Sequence, residues 1–232
     1  MFRFKQFTIH QNRTAMKVCT DSCVLGAYAD LGLAGRLLDI GTGTGLLTLM
    51  AAQRNPTARI DAVETDEEAV LQAIENVTNS PYSERVRVIK GRIQTFSAEP
   101  YTRIVSNPPF YTNHLRSPNQ AVNRALHNDE LPFEELIASV VRLLNPDGQF
   151  WVLLPPFEMN RLSIVAEQAG LRPFRQLNLR HHALKPVFRT IVGFVFDAPA
   201  NPETDELAIF EADGKTYTES FHHLLQPFYL NF

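Results

Sequence analysis

Cysteine is nearly absent from this 232-residue chain: Cys19 and Cys23 are the only two, too few for a disulfide framework. Their spacing can put both on one helical face, but no further suitable ligands stand nearby. Both read as small packed side chains rather than a metal site. Long apolar runs are missing as well, so nothing here spans a bilayer, and the opening MFRFKQF lacks a signal-peptide pattern. The expectation is a cytoplasmic protein with no membrane partner. Positive charge is not in excess: the formal net charge is −3, so the chain as a whole does not advertise a polyanionic partner. Internal repeats and low-complexity segments are lacking. What remains, at 44% hydrophobic and 20% charged residues, is a globular chain with a substantial core, one large domain or a domain with small additions.

From residue 36 onward, short apolar runs alternate with helical stretches. Strands are expected at RLLDIG (36–41), ARIDAVET (58–65), RVRVIKG (85–91), RIVSN (103–107), GQFWVLLP (148–155), TIVGFVFDA (190–198) and LAIFEADGKTYT (207–218). Helices are expected at 45–54, 66–80, 133–145 and 158–170. Such alternation implies an α/β fold, a mainly parallel seven-stranded sheet with helices on both faces. Residues 1–35 read as a separate N-terminal segment and 36–232 as the main domain. In sheets of this kind ligands gather at the carboxyl ends of the strands.

Two motifs stand at such ends. The first strand runs into DIGTGTG, where Gly41, Gly43 and Gly45 allow a tight turn with backbone close to a ligand. A dinucleotide fingerprint would need a small residue where Leu46 stands, and a phosphate loop would need Gly-Lys-Ser/Thr. Asp39 precedes the glycines instead, which suits a positively charged ligand better than a pyrophosphate. S-adenosylmethionine, with an ammonium and a sulfonium, is such a ligand. Glu64, at the end of the second strand, can accept both ribose hydroxyls, a demand that NAD would share.

The fourth strand closes on IVSNPPFY (104–111). Alone, Asn and two prolines after a strand make an ordinary turn. On the same edge as the glycine loop they form a clamp for an amine. The Asn107 side-chain oxygen and the Pro108 carbonyl can accept two N–H bonds from an exocyclic amino group and leave its lone pair facing a methyl donor. Pro108 and Pro109 stiffen that carbonyl, and Phe110 offers a face for stacking a base splayed from its strand. A local charge asymmetry adds to this. RPFRQLNLRHHALKPVFR holds Arg172, Arg175, Arg180, Lys185 and Arg189 and no acid, either a solvated basic stretch or a phosphate-binding one.

With these residues in place the chain resembles the Rossmann-like class I S-adenosylmethionine-dependent methyltransferases of the N-P-P-[YF] amino-methylating group. More narrowly it is similar to the bacterial tRNA1(Val) adenine-N6 methyltransferase family. The resemblance runs from FRFKQFTIHQNRTAMKVCTDSCVLGAYADL (2–31) through the central motifs to DGKTYTESFHHLLQPFYLNF (213–232). It implies methyl transfer from S-adenosyl-L-methionine to N6 of the adenine beside the anticodon of a tRNA, by direct displacement and without a metal. It also implies that the N-terminal segment covers the cofactor. Lys17, Thr20 and Asp21 would lie at the methionine end with Asp39, Gly41, Gly43, Gly45 and Asn107 near. Glu64 would take the ribose, and Asn107, Pro108, Pro109 and Phe110 the target base. Tyr111, Arg180, Lys185 and Arg189 would meet the RNA. Two departures stand out: Phe110 replaces the more usual tyrosine, and Arg92 stands where many relatives place an acid for the cofactor's adenine amine, a bond arginine cannot accept. His181, His182, His222 and His223 receive no catalytic role. Two alternatives stay open: another amino target, guanine N2 or a glutamine amide, and a non-catalytic module that binds S-adenosylmethionine or RNA.

Overall fold

The computed structural model describes residues 1–14, 17–32, 35–109 and 131–232. An N-terminal ribbon of β1 (Phe2–Arg3) and β2 (Thr8–Ile9) precedes α1 (Thr20–Tyr28). Then come β3 (Arg36–Ile40), α2 (Leu46–Arg54), β4 (Arg59–Glu64), α3 (Glu67–Thr78), β5 (Val86–Lys90) and β6 (Tyr101–Ser106). After these follow α4 (Phe133–Leu143), β7 (Leu144–Leu154), α5 (Pro156–Gln168), β8 (Arg172–His182), β9 (Val187–Val195), β10 (Glu203–Phe210) and α6 (Glu219–Leu225).

The main sheet runs β10-β8-β9-β7-β6-β3-β4-β5. Only β9 is antiparallel to its neighbours. The chain therefore reverses strand order between β3 and β6, and this is the crevice where α/β sheets take ligands. Eight strands are paired where the sequence pattern counts seven. The added strand is β8, which falls inside the basic stretch, where no strand was expected. Its alternation is half-hidden, with Leu177 and Leu179 buried between polar neighbours. The last strand also lies earlier than expected, because the turn at Asp213 and Gly214 (φ 66°) follows it. Only Tyr217 bridges back, to Phe210.

Strand periodicity divides the core into two layers. Along β7, Trp151 and Leu153 face a layer with Leu25 of α1 and Leu49 of α2. Phe150, Val152 and Leu154 face the other, with Leu136 and Val140 of α4 and Leu162 of α5. α3 starts where Asp66 caps it, accepting from the Ala69 N–H at 2.8 Å, with Glu67 and Glu68 in its first turn against the positive end of the helix dipole. Among the described residues no helix is long and apolar enough to cross a membrane.

The N-terminal segment is fastened to this body by polar bonds. Asn76 of α3, 1% exposed, accepts the His10 N–H at 2.8 Å and donates to the carbonyls of His10 and Thr44 at 2.8 Å each. Gln72 accepts the Arg13 N–H at 3.2 Å. At the other end, Lys5 donates to the Gln226 and Phe232 carbonyls at 2.6 and 3.0 Å. Asn76→Ala strands three buried backbone groups and is expected to cost about 2–3 kcal/mol, against about 1 kcal/mol for Gln72→Ala. Urea unfolding at unchanged slope checks the ranking; equal losses would show that Asn76 is not the principal fastening.

Candidate active site

Each glycine of the loop after β3 has positive φ: 72° at Gly41, 56° at Gly43 and 82° at Gly45. Gly45 is the cap of α2, and a Cβ added there would lie 3.7 Å from the Ala73 side chain. Gly41 and Gly43 line a cleft of about 780 Å³, and a Cβ added to either meets no protein atom within 4 Å. The space those hydrogens leave open belongs to whatever fills the cleft. Asp39, fully buried, lies behind the loop and outside the cleft wall. Its Oδ2 accepts from Thr42 and Thr48 at 2.7 Å each, while Oδ1 has no partner. Burial pushes its pKa up to about 6, the two threonine hydroxyls opposing and the nearby Glu64 adding.

Glu64 lines the cleft itself. Its Oε2 accepts the Gly43 N–H at 2.9 Å, and its Oε1 accepts the N–H groups of Thr65 and Asp66 at 2.8 and 3.0 Å. Thr65 Oγ1 also reaches Oε1, at 3.4 Å, so Oε1 is saturated and only Oε2 keeps an acceptor site. Holding two ribose hydroxyls would require the Gly43 N–H to let go.

At the far side stand Asn107, Pro108 and Pro109 at the end of β6, in the same cleft. The Asn107 amide donates from Nδ2 to Ser22 Oγ at 2.7 Å, and Ser22 Oγ lies 2.9 Å from Cys19 Sγ. The chain amide to hydroxyl to thiol turns the Asn107 oxygen away from Ser22, where no donor among the described residues reaches it. Ser22 lines the cleft, and sequence reading missed it. Its partner is 85 residues away, and nothing local signals the contact. Thr20 and Asp21 do not line the cleft. Lys17 does, its ammonium holding the Gln11 and Thr14 carbonyls at 2.6 and 2.8 Å. Phe110 and Tyr111 lie outside the described residues.

Arg92 lines the cleft mouth and is exposed. Gln94, also in the wall, donates Nε2 to the Glu135 carboxylate at 2.7 Å. A carboxylate only accepts, so the Gln94 amide oxygen points away and stays available. The basic stretch is largely spoken for. Arg175 pairs with Asp205 at 3.1 Å, Arg180 with Glu206 at 2.9 Å, and Arg189 with Asp21 at 2.8 Å. Lys185 is exposed in the turn between β8 and β9, on the carboxyl edge of the sheet.

The model of the methyltransferase small domain matches residues 22–162. A tRNA1(Val) (adenine(37)-N6)-methyltransferase of Dyadobacter fermentans is 48% identical over 100% of this chain and 98% of its own. The chain belongs to that family. Solved structures agree on the fold: a predicted O-methyltransferase of Agrobacterium tumefaciens has TM-score 0.65 at 17% identity, covering 89% of this chain and 96% of its own. The glycopeptide N-methyltransferase MtfA with S-adenosylmethionine bound has TM-score 0.53 at 14% identity, covering 70% and 87%. The architecture is that of the class I methyltransferases, and the cofactor is S-adenosyl-L-methionine. The site fits it. An unpartnered buried carboxylate oxygen beneath the loop, a second acid in the wall and a cradle open at two glycines suit a cationic nucleoside.

Two outcomes are expected. Gly43→Ala keeps the fold, since αL backbone costs an alanine only about 1 kcal/mol, yet weakens S-adenosylmethionine about tenfold or more by filling the cradle. Glu64→Ala weakens it by about 1–3 kcal/mol. Calorimetry finding both affinities unchanged would put the cofactor elsewhere. For Asp39 the folded pKa of about 6 lies above the ordinary value of 3.8. Stability from this group is therefore full at low pH and is lost as pH rises through 6. Asp39→Asn should unfold at higher urea than wild type at pH 7.5, by up to about 3 kcal/mol at 1.36 kcal/mol per unit, with the gap closing toward pH 4. A gap independent of pH would mean that Asp39 is not the group titrating.

Proposed function

We propose that this chain transfers a methyl group from S-adenosylmethionine to N6 of the adenine at position 37 of tRNA1(Val), as a cytoplasmic enzyme acting on tRNA. The observation that carries the reading is the Asn107 amide. It is anchored through its nitrogen on Ser22, its oxygen takes no bond from the described residues, and the residue lines the cleft that also holds Glu64 and the glycine loop.

The amine of adenine is a poor nucleophile because its lone pair is delocalised into the ring. Two fixed acceptors, Asn107 Oδ1 and the Pro108 carbonyl, favour a pyramidal nitrogen whose lone pair points across the cleft. Pro109 locks the backbone that presents that carbonyl. The cofactor, when bound, supplies an electrophilic methyl on its sulfonium. Glu64 and the glycine loop would hold its ribose side, with Lys17 also in the cleft wall. Gln94 Oε1 would accept from the cofactor's adenine amine in place of the acid that many relatives carry where Arg92 stands. The segment 1–35 would cover the cofactor, with Arg13, Thr14, Lys17, Val18 and Ser22 contributing to the cleft wall. Alignment supplies most of the acceleration. Phe110 and Tyr111 are assigned to the target base, and Lys185, exposed in the turn between β8 and β9, to the RNA approach.

Labelled S-adenosylmethionine with unmodified tRNA1(Val), followed by nucleoside analysis, tests the reaction. N6-methyladenosine at position 37 is expected; label on guanine N2 or on a protein glutamine would redirect it. Asn107→Ala should lower methyl transfer on the order of 10²-fold or more, as for a lost transition-state hydrogen-bond partner, with cofactor affinity little changed. Wild-type turnover in that variant would sink the amine clamp.

A further inference from the structure

The sequence reading assigns Asp21 to the cofactor and Arg189 to RNA. The structure joins them to each other instead. Arg189 Nε donates to Asp21 Oδ2 at 2.8 Å across 168 residues, and their side chains are 22% and 11% exposed. Asp21 sits in the first turn of α1, where no side chain caps the helix. Its Oδ1 accepts the Ser22 N–H at 3.0 Å, filling one of the helix's unpaired donors. Ser22 then receives the Asn107 amide at 2.7 Å. Arg189 is held in turn, its NH1 donating to the Phe188 carbonyl at 2.9 Å and its guanidinium lying 5.6 Å from the Phe188 ring. Phe188 stacks on His181 at 4.0 Å. β9 is thereby linked to α1, and α1 to the end of β6, through two charged groups and one hydroxyl.

We propose that Arg189 and Asp21 act as a pair of positioning residues for methyl transfer: together they clasp the start of α1 to β9, and through Ser22 they set the direction of the Asn107 oxygen. The proposal rests on the amine-clamp reading of Asn107. Neither member touches the reacting atoms. A guanidinium satisfied by a buried carboxylate is a poor phosphate ligand, since taking a phosphate would strand Asp21. An aspartate held by arginine and by a helix N–H has little left for an ammonium.

The test uses Asp21→Asn, Arg189→Gln and the double variant, with Ser22→Ala as a separate arm, in the full-length protein with S-adenosylmethionine and unmodified tRNA1(Val). Unchanged affinity for S-adenosylhomocysteine in each variant checks that the fold survives. Each single change is expected to lower kcat about tenfold or more, as for a misaligned acceptor, with KM for tRNA and its salt dependence unchanged. The double variant should be no worse than the poorer single, because the two act as one unit. Ser22→Ala should lower kcat with the ion pair intact. Two results overturn the proposal. In one, Arg189→Gln raises KM and flattens the salt dependence by about one contact while Asp21→Asn has no effect; in the other, the two losses multiply.

A readout independent of the acceptor separates this from the reaction itself. The Asn107 side-chain NH2 signals in labelled protein, identified by their loss in Asn107→Ala, should exchange with solvent about tenfold faster in both pair variants than in wild type. Equal exchange in all three overturns the clasp even if tRNA is methylated. Faster exchange supports it even if the acceptor proves to be another amine.

Discussion

Three backbone N–H groups grip the carboxylate of Glu64, and the glycine-loop side of the cleft depends on that grip. One comes from Gly43 and two from the turn that follows β4. The bond from Gly43 crosses between the carboxyl ends of β3 and β4, neighbours in the sheet. It explains why the loop must turn with positive φ at Gly43 (56°): only then does this N–H face the acid. Behind the same loop Asp39 pulls inward through Thr42 and Thr48. The loop is thus stretched between two carboxylates, one in the cleft and one in the core. Each raises the electrostatic cost of the other, and a cation on the cleft side relieves both.

The acceptor half is organised differently. Its Asn107 comes from β6, but its orientation comes from the N-terminal segment, and that segment is tied down at three distant places: α3 through Asn76, β9 through Arg189, and the C-terminal tail through Lys5. Hydrophobic contacts alone would leave such a segment free to slide, because burial is non-directional. Hydrogen bonds to specific carbonyls and carboxylates fix its register, which matters where one amide oxygen must point within a few tenths of an ångström.

That the glycine loop, Glu64 and the Asn-Pro-Pro motif share one cleft was legible because their signals are local. Glycines with forced φ, an acid at a strand end and a proline pair all carry their meaning within a few residues. The parallel sheet was legible from the alternation of β3 to α5. β8 was not, because Arg172 to His182 places only Leu177 and Leu179 in the core, and a strand with one buried layer inside a basic run looks like a loop. Ser22 and the Asp21–Arg189 pair were not legible either. Their bonds join residues 85 and 168 apart, and nothing in the spacing of TDS or VFRT specifies the partner. Thr20 and Asp21, expected at the cofactor, do not line the cleft, where Ser22 of the same helix does.

Charge was the property read least well from the linear sequence. The five cations of 172–189 look like one patch, but three face acids that arrive from other elements: Asp205 and Glu206 from β10, and Asp21 from α1. A surface potential is the sum over the fold, not over a window. At the carboxyl edge that sum is drawn instead from Lys185 in the β8–β9 turn and from Arg13, Lys17 and Arg92 along the cleft. Arg13 is offset by Glu68 at 3.5 Å, and Lys17 is anchored by two carbonyls. Arg92, exposed in the cleft wall, adds a charge of the sign that attracts a phosphate backbone, and it does so at the cleft itself rather than on a remote patch. Its neighbour Gln94 is turned by Glu135, which takes the amide nitrogen and leaves the oxygen without a partner among the described residues.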